Sequence, residues 1–184
     1  MANKYYDVLR APHQVAFDIT NNCNLRCLHC FNSSGENDVI SNELSDGEVL
    51  HFMEDLTSMN LYNVCFCGGE TLLRKELMCE CIKILKPSGS HCTAVTNGLL
   101  ANPATIQQLA SAGLDGIQFS LDGLRDSHER LRNKVGIFPK VIDAMKYVLN
   151  ETELRLSIAF TPTSFNVKDF LGVYDLLVDL YKKS

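Results

Sequence analysis

The chain has no apolar run of transmembrane length, and its start, Met1 to His13, lacks the apolar core of a signal peptide. Those two absences predict a cytoplasmic protein. There is no run of lysine and arginine and the net charge of −5 is mild, so nothing marks a nucleic-acid or membrane-binding surface. Internal repeats and low-complexity tracts are missing as well. What is present is 184 residues, 46% of them hydrophobic, enough for one domain with a sizeable core.

Eight cysteines stand out in such a chain. A reducing compartment favours metal or catalytic use for them over disulfides. Three fall in the run Cys23-Asn24-Leu25-Arg26-Cys27-Leu28-His29-Cys30. This run also lacks something, because a 4Fe-4S cluster fully ligated by thiolates takes four cysteines. Three would leave one iron with an open position, and an open position on a metal serves chemistry. Zinc would need a fourth ligand, and His29 is the candidate at hand. Cys65, Cys67, Cys79, Cys81 and Cys92 read as small buried hydrophobes, with Cys65 and Cys67 on one side of a strand and Cys67 close to its end.

Five segments rich in β-branched or aromatic residues predict buried strands: Val15 to Thr20, Asn63 to Cys67, Cys92 to Thr96, Gly116 to Leu121 and Leu154 to Thr161. Helical patterns separate them. Ser45 with Glu48 is a capping-box signature ahead of Val49, Phe52, Met53, Leu56 and Met59. Lys75 to Lys86 stops before Pro87, and Asn102-Pro103 opens a third helix that Gly113 closes. Pro139 heads a fourth. Asn166 is the expected cap of a fifth, which carries Phe170, Leu171, Tyr174, Leu177, Val178 and Tyr181. The methionines fall on apolar helix faces and read as core. Alternating strand and helix gives parallel strands joined by right-handed crossovers, so the predicted class is α/β. Five βα units cannot close an eight-stranded barrel, and an open or partial (β/α) barrel is expected, with residues 1–14 as a lead-in and 15–184 as the core domain.

In parallel α/β folds ligands sit at the carboxyl ends of the strands. The cysteine run follows the first strand, Gly68-Gly69-Glu70-Thr71 the second, Thr96-Asn97-Gly98 the third, Ser120-Leu121-Asp122-Gly123 the fourth and Thr161-Pro162 the fifth. One such stretch is an ordinary loop; five on one rim describe a site. The polar loop Asn32 to Asp38 leaves the cysteine run and could order around a ligand. Paired glycines allow close backbone approach, and Glu70 offers a carboxylate to a cationic group. Asn97 and Ser120 can exchange hydrogen bonds with a carboxylate or ribose, and Asp122 can accept from hydroxyls or an amine.

Cys-x3-Cys-x2-Cys after the first strand, Gly-Gly-Glu after the second, and the later Thr-Asn-Gly and Ser-Leu-Asp-Gly resemble the radical S-adenosylmethionine (radical SAM) enzymes over residues 15 to 170. The Ser-Leu-Asp-Gly run followed by His128 and Arg132 is most similar to the peptide- and protein-modifying branch, which includes sulfatase maturases and thioether- or crosslink-forming peptide maturases. The resemblance implies a 4Fe-4S cluster on Cys23, Cys27 and Cys30, with the amine and carboxylate of SAM chelating the unique iron. It implies that Glu70 and the backbone of Gly68 and Gly69 hold the amine and that Ser120 helps with the carboxylate or ribose. His29 takes the place of an aromatic residue near the adenine, and Asn97 and Asp122 complete the implied cofactor-binding set. An electron from a donor such as flavodoxin or ferredoxin would cleave SAM to a 5′-deoxyadenosyl radical, which would take hydrogen from a peptide or protein substrate. A small-molecule substrate, or a noncatalytic iron-sulfur or zinc protein, is the alternative. No nucleic-acid or membrane partner is expected.

The pattern also has gaps. Barrels of this family usually have six βα units, five are legible here, and no cysteine-rich extension follows Leu154. Leu156 to Phe160 lacks the Gly-x-Ile-x-Gly-x-x-Glu pattern of some members, and the lead-in is too short for an amino-terminal peptide-recognition domain. The expectation is a core domain shortened at its carboxyl end. His128 and Arg132 could bind substrate but read first as a solvated helix face.

Overall fold

Alternation along each strand decides which way it faces. In β2 (Asn63–Cys67), Val64 and Phe66 are buried while Cys65 and Cys67 on the opposite side are only partly covered. β3 (His91–Thr96) repeats this division; in the edge strands β1 (Gln14–Asp18) and β5 (Arg155–Ala159) Val15, Phe17 and Leu156 are the better covered residues, and β4 (Gly116–Ser120) is buried on both sides but for Gln118. The computed structural model describes residues 12–35, 42–59 and 61–183. Most of the expected lead-in and the end of the polar loop, residues 36–38, lie outside the described residues.

The strands form one parallel sheet in the order β1-β2-β3-β4-β5. Registers such as Cys65 opposite Ala16 and Thr93, and Gly116 opposite Thr93 and Arg155, keep the alternation in phase across all five. Sequential order with right-handed crossovers sends every connecting helix to the same face, whereas a doubly wound sheet reverses and is covered on both. The architecture is therefore the α/β partial barrel expected. Its concave face stays partly open, because five strands do not close: Ala16 and Asp18 at one edge and Arg155 and Ser157 at the other are exposed.

The convex face holds the core. Val49, Met53 and Leu56 of α1 (Asp46–Ser58) pack with Met78, Cys81, Ile82 and Leu85 of α2 (Lys75–Leu85), above the buried sides of β1 to β3. Ile106 and Leu109 of α3 (Pro103–Ala112) and Val141, Met145 and Val148 of α5 (Ile137–Glu151) continue it over β3 to β5. The anticipated stops are present. Ser45 and Glu48 form a reciprocal capping box on α1, Asn102 caps α3 by accepting from Thr105 N–H, and Gly113 ends α3 in the left-handed conformation. Cys79, Cys81 and Cys92 are buried as expected.

Several expectations need correction. A short helix, α4 (Arg125–Leu131), precedes α5; its sequence Arg-Asp-Ser-His-Glu-Arg-Leu has no apolar period to betray it. Pro139 sits in the first turn of α5 rather than at its head, a position where proline is tolerated. Asn166 does not cap the last helix, α6 (Phe170–Lys183): it lies four residues earlier and its side chain is spent elsewhere. On α6 the buried residues are Val173 and Leu180, while Phe170, Leu171, Tyr174 and Tyr181 are exposed. Met59 is exposed at the end of α1, unlike the core methionines Met53, Met78 and Met145.

Candidate cofactor site

The cysteine run leaves β1 through a turn anchored on its own side of the sheet. Ile19 N–H still donates to Cys67, after which Thr20 Oγ1 and Asn21 N–H both donate to the Glu43 carboxylate. Arg74 braces the turn by donating to Ile19 C=O and pairing with Asp46. Asn21 Oδ1 accepts from Asn32 and Ser34, and Gly35 N–H donates to Asn21 C=O, so residues 21 to 35 form a closed lobe. Within it Cys30 N–H bonds Cys27 C=O. Cys23 and Cys27 are half-buried and Cys30 is exposed.

Their sulfurs have partners from other loops. Cys23 Sγ accepts from Leu25 N–H at 3.5 Å and faces Asn97 Nδ2 at 3.9 Å; Cys27 Sγ faces Arg132 Nη1 at 3.7 Å. Burial pushes both thiols up, and nearby negative charge adds to it, from Glu70 and Cys30 at Cys23 and from Cys23 and Cys30 at Cys27. The Leu25 N–H at Cys23 and the Arg132 guanidinium at Cys27 act in the opposite sense. The loop thus concentrates thiols that are costly to ionise alone, an arrangement a cationic metal centre would relieve.

The second loop is built against the first. Gly68 has φ of +130°, and a Cβ there would lie 2.3 Å from Thr20 O; one on Gly69 would lie 2.2 Å from Asn22 O. Gly69 N–H donates to Thr20 C=O and Glu70 N–H to Asn22 C=O. The glycines are needed so that two rim loops can touch. Glu70 is 1% exposed. Its Oε1 accepts from Thr96 Oγ1 at 2.6 Å and Leu72 N–H at 3.1 Å, and its Oε2 from Asn97 N–H at 2.8 Å. Burial pushes its carboxyl up, against three donors that favour the charged form. Asn97 continues the chain of contacts, donating to Asn24 Oδ1 at 2.8 Å.

The fourth loop supplies what the sequence did not foretell. Asp122 is fully buried, and its carboxylate accepts from Thr161 N–H and pairs with Arg132 Nη2 at 2.6 Å and His29 Nε2 at 3.2 Å. Burial alone would raise its pKa, yet the His29 hydrogen bond and the Arg132 charge hold it at about 2. Its N–H donates to His128 Nδ1, and Asn166 Nδ2 donates to its C=O and to Thr161 C=O. His128 and Arg132 are therefore not a solvated face: His128 is 0% exposed and Arg132 faces inward between Asp122 and Cys27. A polar helix of seven residues gave no sign of which side chains turn in. Asn24, Glu43 and Asn166 were equally silent, since their partners lie far along the chain.

Among these loops lies a cavity of about 340 Å³, within the range that small-molecule sites occupy. The three cysteines, His29, Gly68 and Gly69, Asn97 and Ser120 line it, with Arg132 and Cys67. Glu70 and Asp122 stand behind the wall, their carboxylates committed to protein donors. Among the described residues no three His, Cys, Asp or Glu side chains converge on a point that would hold a single metal ion. Three thiols of one loop lining a cavity are a donor set that suits a cluster, whose cysteines each bind a different iron. The donor set and the glycine-lined floor beside it thus fit an iron-sulfur cluster with a small cofactor next to it.

A parallel α/β partial barrel with three cysteines on its first rim loop defines a class in which metal and cofactor share the mouth of the sheet. The chain belongs to the Radical SAM superfamily, whose family profile matches residues 17–177. It is 30% identical over 163 residues to the Fe-coproporphyrin III synthase of Methanosarcina barkeri, covering 89% of this chain and 40% of that protein. It is 26% identical over 164 residues to the sporulation killing factor maturation protein SkfB of Bacillus subtilis, covering 89% of this chain and 39% of that one. The chain thus spans about two fifths of the length of these relatives. Its fold matches Streptococcus suis SuiB bound to S-adenosylmethionine with a TM-score of 0.75 at 19% identity, over 92% of this chain and 38% of SuiB.

Proposed function

We propose that this chain is the core of a radical SAM enzyme, holding a 4Fe-4S cluster on Cys23, Cys27 and Cys30 and SAM in the adjoining cavity, and that it modifies a peptide or protein. The observation that carries the reading is the cavity of about 340 Å³ walled on one side by the three thiols and on the other by Gly68, Gly69, Asn97 and Ser120. When bound, the cluster supplies the electron that splits SAM into methionine and a 5′-deoxyadenosyl radical able to take hydrogen from a substrate. The chain's own part is to position and to shield. The carbonyls of the Gly68-Gly69 turn are at hand for an amine, since the N–H groups of Gly69 and Glu70 are already given to the first loop. Ser120, 9% exposed at the cavity wall, can bond a carboxylate or a hydroxyl. The open concave face beside the cavity leaves room for a substrate segment.

The peptide assignment draws on SkfB, named as a maturation protein, and on SuiB, which has been crystallised with the precursor peptide SuiA. The similarity to Fe-coproporphyrin III synthase favours a second reading, a small-molecule substrate on the same core. Flavodoxin or ferredoxin is the proposed electron donor and the cytoplasm the proposed compartment. No helix among the described residues is long and apolar enough to cross a membrane. The test is anaerobic reconstitution with iron and sulfide followed by reduction in the presence of SAM. The expected result is a brown protein that releases 5′-deoxyadenosine; a colourless protein overturns the proposal.

A further inference from the structure

Asp122, expected at the ligand, and Arg132, expected on a solvated helix face, pair with each other behind the cysteine loop. The guanidinium of Arg132 is divided: Nη2 lies 2.6 Å from Asp122 Oδ2 and Nη1 lies 3.7 Å from Cys27 Sγ. His29, between Cys27 and Cys30, brings the cysteine loop onto the same carboxylate oxygen at 3.2 Å. A single buried carboxylate thus holds an imidazole from the loop and a guanidinium that reaches past it to a sulfur. Asp122 is itself fixed, by Thr161 N–H on Oδ1, by Asn166 on its carbonyl and by His128 on its N–H. Its side chain has no freedom to follow a ligand.

We propose that Asp122 is a positioning residue for the cysteine loop and that, by aiming Arg132 at Cys27, it sets how readily the metal centre on that loop accepts an electron. The inference rests on reading Cys23, Cys27 and Cys30 as cluster ligands. Its physics is that of charge close to a redox centre away from water. Reduction adds one negative charge; a guanidinium in contact with a ligating sulfur favours the reduced state, and a carboxylate behind it opposes that. The pair therefore balances two opposed influences, with His29 tying the balance to the loop.

The test is a redox titration of the anaerobically reconstituted chain and its variants, followed by the electron paramagnetic resonance of the reduced cluster, together with iron loss to a chelator. Arg132→Gln removes the cation and should lower the reduction potential. Asp122→Asn removes the anion while its amide oxygen still accepts from Arg132 Nη2 and keeps the guanidinium at Cys27, so it should raise the potential, while both variants release iron faster than the parent. Arg132→Lys keeps the charge but loses the fork, and should hold the potential near the parent's with faster iron release; should Asp122→Asn not fold, the contrast between the Gln and Lys variants decides. Shifts of the same sign, or none, overturn the proposal. So does weakened SAM binding in Asp122→Asn without a change of potential, which would make Asp122 a ligand contact. A parent chain that takes up no iron overturns the cluster reading itself, whereas a loaded parent with unshifted variants overturns this inference alone.

Discussion

His128 shows how one buried side chain ties the site to pH. Burial and the nearby Arg132 charge push its pKa down to about 4, so the ring is neutral at pH 7. In that state Nδ1 accepts the Asp122 N–H, and a proton arriving there would face that donor and Arg132 together. Because the folded pKa lies below the ordinary histidine value, the unfolded chain takes up the proton first as pH falls. The contribution is therefore complete above about pH 7 and is lost as pH drops towards 4, on the order of 3 kcal/mol in all. Urea unfolding of the parent and His128→Gln between pH 7 and 4.5 should give a steeper loss in the parent; parallel curves would count against the assignment. The sequence reads His128 as part of a solvated helix face, because nothing in a seven-residue polar helix tells which side chain turns inward. The cysteines were legible for the opposite reason: their spacing is local, three in eight residues, and is read without knowing how the loops pack. Asp122, Arg132 and Asn166 act on partners 5 to 105 residues away, and such pairings are decided by the packing of the loops.

At the scale of elements, Glu70 joins the ends of β2 and β3. Its two oxygens meet backbone donors on both sides, Leu72 N–H at Oε1 and Asn97 N–H at Oε2. Glutamine has one acceptor oxygen and one amide nitrogen, so either orientation sets an NH2 against a fixed N–H. Glu70→Gln should cost about 1 to 3 kcal/mol of unfolding free energy by denaturant titration, the penalty of a buried unpaired donor. A cost indistinguishable from zero would mean that Glu70 is not the tie between these strands. The strands and most helices could be read because each carries its own period: the capping box of α1 and the Asn102 to Gly113 bounds of α3 appear where the residues put them. The exceptions share a cause. The face of α6 bearing Leu171 and Tyr174 is apolar but exposed, and an apolar stripe records what a helix can bury without recording whether a neighbour lies there.

For the whole molecule, the parallel run of the five strands matters most, because it sends five loops to one rim. Each loop leans on another: Gly69 on Thr20, Glu70 on Asn22 and Asn97, Asn97 on Asn24, His29 on Asp122, and Thr161 and Asn166 on Asp122. A cofactor in the cavity would therefore stabilise the sheet as a unit, since contacts on its wall come from the ends of different strands. For the reconstituted chain, SAM at one hundred times its dissociation constant should add about 2.7 kcal/mol to the unfolding free energy if it binds only the folded state. Hydrogen exchange should then slow together at the carboxyl ends of β1 to β4, around Thr20, Gly69, Asn97 and Ser120, as well as in the cysteine loop. If protection were confined to residues 23 to 30, the rim would be a set of independent loops and the cavity would not be the cofactor site. Protection at all of them, with the rise in stability, would mean that the three thiols and the strand ends hold one ligand between them.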